Sequence, residues 1–328
     1  EMEYALINQI APGIPVEQVN QYIQDMIGEK NIVISLTGPA KEGLAYPSED
    51  ELLRTFMKAQ KIAVEPYKET VSNEPLVANL PAPGKITKEE VDPLFGSTVF
   101  TLGNGVKVVV KQTEYKKDEI LMTATSPGGS TLFGKADVPN LKLFNEVIGL
   151  GGLGNFSATD LTKVLAGKQV SLSAGLGLDN ESLNGRSTPA DLETLCQLIY
   201  LQFTALRPDT EAYTSFEGRM KSQLQNLELN PMVAFSDTIT KAIYDGNPRV
   251  QRLKEVDFAQ ISYQRILDMY KERYADASDF IFTFVGNVNP DTLKPFIQQY
   301  LATLPSLKRV EKGNVKEVPV LRNGTYTN

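Results

Sequence analysis

The order in which hydrophobic periodicity changes along this chain constrains its fold more than any single motif. STVFTLGNGVKVVVKQT (97–113) reads as two strands around Gly103-Asn104-Gly105, a strong hairpin signal. DEILMTATSPGGS (118–130) is a third strand, closed by Pro127-Gly128-Gly129. DVPNLKLFNEVI (137–148) has helical spacing and runs into a glycine cluster, GLGGLG (149–154). A helix at 158–167 and two alternating strands, KQVSLSAGLG and NESLNGRST, follow. Long helices are then expected over 189–206, 209–229, 231–246 and 258–275. Thr188, Pro189 and Asp191 mark the start of the first of these. A last strand, DFIFTFVGNV (279–288), leads into a helix at NPDTLKPFIQQYLATLP, with Asn289 as cap and Pro290 in the first turn. Runs of each type, instead of strict βαβ alternation, predict an α+β fold: a mostly antiparallel sheet covered by long helices on one face.

The first third is different. PVEQVNQYIQDMIG (15–28) predicts a helix and NIVISLTGP (31–39) a short apolar strand. SEDELLRTFMKAQ (48–60) predicts a helix opened by a capping box, with Ser48 as N-cap and Glu51 at N3. One strand and two helices cannot close a core, so residues 1–63 read as the C-terminal tail of a preceding unit. Residues 64–97 carry Pro66, Pro75, Pro81, Pro83 and Pro93 among many charges, the composition of an extended linker. The domain proper is placed at 98–308. Residues 309–328, ending VPVLRNGTYTN, read as the start of a following domain, with a strand beginning there.

Composition matters chiefly through a residue that is missing. The sequence has no histidine. That excludes imidazole metal ligands, Ser-His-Asp and Cys-His catalysis, and His general bases within this chain. A formal net charge of -7 argues against a nucleic-acid partner, which requires a basic face. No run is long and apolar enough for a membrane span. Cys196 lies in the apolar run LETLCQLIYLQF and reads as a small buried hydrophobe.

The remaining candidates are each outweighed by a plainer reading. Gly149, Gly151 and Gly154 match a dinucleotide fingerprint in spacing, but a helix precedes them where a strand is required, and Asp160 follows too closely to read a ribose. Asp118 with Glu119, and Glu89 with Glu90, are adjacent carboxylates that point to different faces. Tyr263, Tyr270 and Tyr274, on one helix with Arg265 and Arg273, form a core or interface stripe. Ser126-Pro-Gly-Gly-Ser130 has no base beside it and reads as a turn.

Taken together, residues 97–310 resemble one structural unit of the pitrilysin/insulinase family of zinc peptidases, which includes the mitochondrial processing peptidase. TLGNGVKVVVKQT is similar to the family's opening strand pair, and SPGGS to the turn before its zinc helix. GNFSATDLTKVLAGKQVSLSAGLGLDNESLNGRST is similar to the helix and strand pair after it, and DFIFTFVGNVNPDTLKPFIQQYLATLP to the closing segment. Upstream, NIVISLTGP, SEDELL and LVANLPAPGKITKEE resemble the end of a preceding unit and its connection. The resemblance implies the metallohydrolase fold of the processing-peptidase type. In active units the helix before the glycine cluster carries His-x-x-Glu-His, which holds zinc and activates water. Here it reads PNLKLFNEVIG, placing the metal positions on Asn140 and Phe144 or on Lys142 and Glu146, depending on register. Neither pair can hold zinc, and the family's third ligand, a later glutamate, has no purpose without them. No catalytic, cofactor-binding or metal-binding residue is therefore assigned to this chain.

Large members of the family pair an active half with a degenerate one, and the halves close around a peptide. The resemblance implies a non-catalytic half whose zinc and active site lie in an upstream unit of the same protein. Its expected partners are that catalytic half and peptide substrate. The other readings are a stand-alone scaffold partnering an active peptidase, and an enzyme using a carboxylate pair on this fold. The periplasm or cell envelope is the compartment implied by exported bacterial relatives; cytoplasm is the alternative.

Overall fold

A computed structural model describes residues 2–26, 32–38, 43–63 and 74–324. The chain divides into two units, Glu1–Glu69 and Thr70–Asn328.

In the first unit, α1 (Met2–Ile10), α2 (Val16–Met26) and α3 (Glu49–Ala59) have no buried residue. The capping box forms as expected: Ser48 Oγ accepts from Glu51 N at 3.3 Å, and Glu51 returns a carboxylate to Ser48 N at 2.8 Å. The strand expected at 31–39 is not one: residues 32–38 have no ladder, and the rest of that span lies outside the described residues. Its Val33 and Leu36 are exposed, so apolar composition alone does not make a strand where no second strand pairs with it.

The second unit is built on a seven-stranded sheet. Its strands are β1 (Ile86–Val91), β2 (Thr98–Leu102), β3 (Lys107–Gln112), β4 (Ile120–Pro127), β6 (Val170–Leu176), β7 (Asn180–Ser187) and β9 (Ile281–Gly286). The short β5 (Gly152–Leu153) and β8 (Leu206–Arg207) pair separately. The sheet order is β1-β2-β3-β9-β4-β7-β6. All its ladders are antiparallel except β3 with β9. Residues 86–91, read from sequence as linker, are thus an edge strand. The preceding segment also belongs to this body: Leu76 and Val77 are buried, and Gln299 Nε2 donates to the Pro81 carbonyl at 2.6 Å. Proline spacing signals extended chain but does not show whether extended chain is paired.

Alternation fixes which face is covered. In β4, Ile120, Met122 and Ala124 are buried while Leu121, Thr123 and Thr125 are exposed. The inward set joins Phe100, Val108, Val110, Leu183, Phe282 and Phe284 in one core. Over it lie α4 (Val138–Ile148), α6 (Leu192–Thr204), α9 (Tyr263–Tyr274) and α10 (Pro290–Gln299). The remaining helices are α5 (Ala158–Val164), α7 (Thr210–Glu228) and α8 (Pro231–Ile243). Two expected helices begin later than their sequence signals. Asp191 spends its carboxylate on Gln169 N and Thr188 Oγ1, so α6 starts at Leu192. The span 258–275 splits into a 3-10 turn (Glu255–Gln260) and α9, which Ser262 caps.

The strand expected in the last residues is also absent among those described. Residues 309–322 instead form a strap across the domain. Asp276 accepts from the backbone N–H groups of Leu307 and Arg309. Glu311 pairs with Arg273, Thr131 Oγ1 accepts from Asn314 N, Glu317 pairs with Arg249, and Arg322 N donates to the Ile243 carbonyl.

Candidate functional site

The helix at the position of a zinc helix is α4, and its two faces have different fates. On the inner face Asn140 and Phe144 are buried. Asn140 Oδ1 accepts from Ser262 N at the start of α9 at 2.8 Å, and Phe144 stacks on Tyr270 with centroids 6.3 Å apart. On the outer side Lys142 is half-buried and Glu146 exposed. Of the two pairs, Asn140 and Phe144 are thus committed to packing, and Lys142 and Glu146 lie towards the accessible side. Neither fits zinc. An ammonium has no lone pair to give, and Lys142 Nζ is turned to Asp257 and the Arg252 carbonyl, both at 3.4 Å. Among the described residues no group of three or more His, Cys, Asp or Glu could hold a metal ion.

Between α4, the edge strand β6 and the glycine loop lies a cleft of about 370 Å³. Ile148, Leu161, Leu172 and Leu206 supply its apolar wall, and Asn145, Thr162, Ser173 and Gln202 its polar groups; its lining contains no acid, base or thiol. Asn145 crosses to β6 as a strand would. Its Oδ1 accepts from Leu176 N at 2.8 Å and its Nδ2 donates to the Leu176 carbonyl at 3.3 Å. The cleft can hold a chain or side chain but has nothing to move a proton with.

The glycine cluster builds the cleft floor. A Cβ on Gly152 would lie 1.8 Å from the Phe156 carbonyl oxygen, so β5 can sit against the following turn only without a side chain. The loop joins α4 to α5 through this bridge, which accounts for the spacing without a dinucleotide.

The other candidates are structural. Burial pushes the Cys196 thiol well up from its ordinary range, leaving it inert. Tyr270 stacks on Tyr274 with centroids 4.5 Å apart, and the one hydrogen of the Tyr274 hydroxyl is shared between the Gly175 carbonyl of β6 and the Ser182 carbonyl of β7, each at 3.0 Å. Tyr263 stacks on Tyr213 and its hydroxyl accepts from Asp209 N. Arg265 makes a two-pronged contact with Asp137, and this hydrogen bonding holds the Asp137 carboxyl below its usual range. Glu119 takes Lys116 and Arg186, while Glu89 takes Lys294 and Glu90 takes Lys88. Ser157 caps α5, accepting from Asp160 N, and Asp160 completes the capping box by accepting from Ser157 N. Ser126 Oγ donates to Asp279 at 2.8 Å, and Ser130 lies in the turn.

Sequence reasoning missed one buried charge cluster. Glu181, 1% exposed, sits 3.5 Å from Arg273 and accepts from Gly129 N at 2.9 Å. Burial raises its carboxyl from the ordinary value, against the opposing pull of the Gly129 N–H and Arg273. Gly129, at φ 75°, allows that approach. The signal was present: in NESLNGRS, Glu181 shares inward parity with Leu183.

The mostly antiparallel sheet covered by helices is the α+β architecture expected from the sequence. Residues 260–327 match the family model described as the Peptidase M16 inactive domain. The chain is 22% identical over 306 residues to a protein of Arabidopsis thaliana named "Zinc protease PQQL-like", covering 93% of this chain and 30% of that protein. It is 24% identical over 207 residues to the "Probable zinc protease PqqL" of Escherichia coli, covering 63% and 22%. The crystal structure of the periplasmic protease PqqL from Escherichia coli aligns with TM-score 0.66 at 21% identity, over 85% of this chain and 30% of that one. The ferredoxin protease FusC, solved with Arabidopsis ferredoxin, aligns with TM-score 0.61 at 19% identity, over 82% and 30%. The chain therefore spans about a third or less of these relatives. Its fold is that of these M16 proteases, and residues 260–327 match that family's inactive domain. Among the described residues no helix is long and apolar enough to cross a membrane.

Proposed function

We propose that this chain is the non-catalytic half of a zinc-dependent metalloendopeptidase, enclosing and positioning peptide substrate while zinc and the active site belong to an upstream unit of the same protein. The observation that carries the reading is α4: at the spacing of zinc ligands Asn140 and Phe144 are taken up by packing, Lys142 is turned to Asp257, and the adjoining cleft is lined by no acid, base or thiol. In this reading residues 1–63 end the preceding unit, 64–97 connect, 98–308 are the inactive domain and 309–328 lead onward. β1 and the strap pack on the inactive domain as parts of the connections. The parent acts on peptides, and the periplasmic location of the Escherichia coli neighbour supports a periplasmic or envelope compartment.

The test is complementation. The unit carrying His-x-x-Glu-His, taken from the same open reading frame, is assayed for peptide hydrolysis alone and with this chain supplied in trans or fused. Zinc-dependent hydrolysis that rises at least tenfold with this chain present supports the reading. A reading frame with no such motif, or equal activity with and without this chain, refutes it.

A further inference from the structure

A second pocket, of about 230 Å³, opens at the N-terminal end of α4. Its walls are Val138, Leu141, Leu176 and Leu178, and two cations line it, Lys142 from α4 and Arg249 from the loop after α8. No carboxylate is in the lining. The Arg249 side chain is 5% exposed and fixed: Nε and Nη2 bond Glu317, Nη1 donates to the Ser130 carbonyl, and Nη2 donates to the Phe133 carbonyl. One Nη1 hydrogen is left without a partner among the described residues. Lys142 spends two donors on long 3.4 Å contacts, with Asp257 and the Arg252 carbonyl, and Asp257 is shared with Lys254 N. Its third donor is likewise unmatched. Asp257 and Glu317 balance the formal charge, so a bare anion gains little; two spare donors on two cations suit the two oxygens of one carboxylate. The cavity is smaller than a drug-sized site, and its apolar walls have room for about one side chain.

We propose that this pocket binds the terminal carboxylate of a peptide, with the terminal apolar side chain held between Leu141 and Leu178. This rests on the peptide-handling role proposed above and adds a substrate class: peptides with a free, apolar C-terminus. Asn145 bridges α4 to Leu176 between this pocket and the larger cleft, and an anchored chain would leave towards solvent at the exposed Leu178.

The test is fluorescence anisotropy on the full chain, using a labelled pentapeptide Gly-Ser-Gly-Ser-Leu with a free carboxylate and its C-terminal amide. The free acid is expected to bind at least tenfold more tightly than the amide, and raised salt should weaken it. Lys142→Met should remove most of that preference and Lys142→Arg should retain it. Leu178→Glu, at a site already 41% exposed, should weaken the acid at least tenfold without loss of fold. Equal affinity for acid and amide in the wild-type chain, or no binding of the free acid at millimolar concentration, overturns the proposal, whatever the variants do. If complementation succeeds while acid and amide bind alike, the pocket assignment alone fails. If complementation also fails, the peptide-handling role fails with it.

Discussion

The two faces of α4 give a quantitative test of the register that the sequence left open. Placing a histidine pair on the inner face, Asn140→His with Phe144→His, removes a phenyl ring that is 0% exposed and stacked on Tyr270, and strips Ser262 N of its acceptor. Truncating a buried phenylalanine costs about 3–5 kcal/mol, and an imidazole in the same site adds an unmatched polar group. With a urea m-value of about 3 kcal/mol/M, the midpoint should fall by about 1 M or more. The outer pair, Lys142→His with Glu146→His, loses one long ion pair, worth about 1 kcal/mol at most, and the midpoint should move by a few tenths of a molar. The outer pair also places two imidazoles four residues apart on an accessible face, the spacing that holds zinc. Zinc at about a hundredfold over its dissociation constant should then stabilise that variant by about 2.7 kcal/mol and leave the parent chain unmoved. Urea titrations with and without zinc read both quantities. An inner-pair variant as stable as the parent, or one that gains zinc stabilisation when the outer pair does not, would refute the assigned orientation of α4.

Two further outcomes follow from buried contacts. The Glu181 carboxyl, raised above 4.5 in the folded chain, makes the folded state the better proton binder between pH 4.5 and its folded value. Its ionisation therefore costs stability as pH rises through that window, and the cost is relieved as pH falls towards 4.5. Glu181→Gln removes this dependence, so the stability of wild type relative to the variant should improve from pH 7 to about 4.5 in urea titrations; a pH-independent difference contradicts the account. Gly152→Ala should destabilise by about 3 kcal/mol, because the new methyl meets the backbone of Phe156, not a movable side chain. An unchanged Tm in thermal unfolding would show that the loop can shift.

The sheet was legible because half-buried strands advertise themselves. In ILMTATSP the apolar residues Ile120, Met122 and Ala124 share one parity, which is the buried one, and the Gly103-Asn104-Gly105 turn joins β2 to its partner β3. What was hidden depended on partners remote in sequence. β1 is polar and proline-flanked, and becomes a strand only because β2 offers a free edge. NIVISLTGP looks more like a strand than β1 does, yet has no ladder among the described residues. The same limit applies at the site. PNLKLFNEVIG shows that zinc ligands are missing, but which side faces solvent is decided by Ser262 and Tyr270, more than a hundred residues later. Lys142 and Arg249 meet at one pocket from α4 and a loop beyond α8, a pairing no local pattern could indicate.

The division of labour within α4 separates the positions that hold the fold from those where zinc ligands would have to lie. Residues that hold the helix in place, Leu143, Phe144 and Val147 in the core with Asn140 on Ser262, all lie on the buried side. Metal ligands would have to lie on the opposite side, where Lys142 and Glu146 carry little of the packing. Exchanging both side chains there costs the domain about 1 kcal/mol at most, the worth of the long Lys142–Asp257 pair. Packing alone therefore places little constraint on these two positions. The reverse does not hold for the cleft wall. Asn145 is a surface position by composition, but its carboxamide takes both backbone groups of Leu176 and so fixes the distance between α4 and β6. That residue maintains the shape of the cleft, and it does so by satisfying backbone groups of the edge strand.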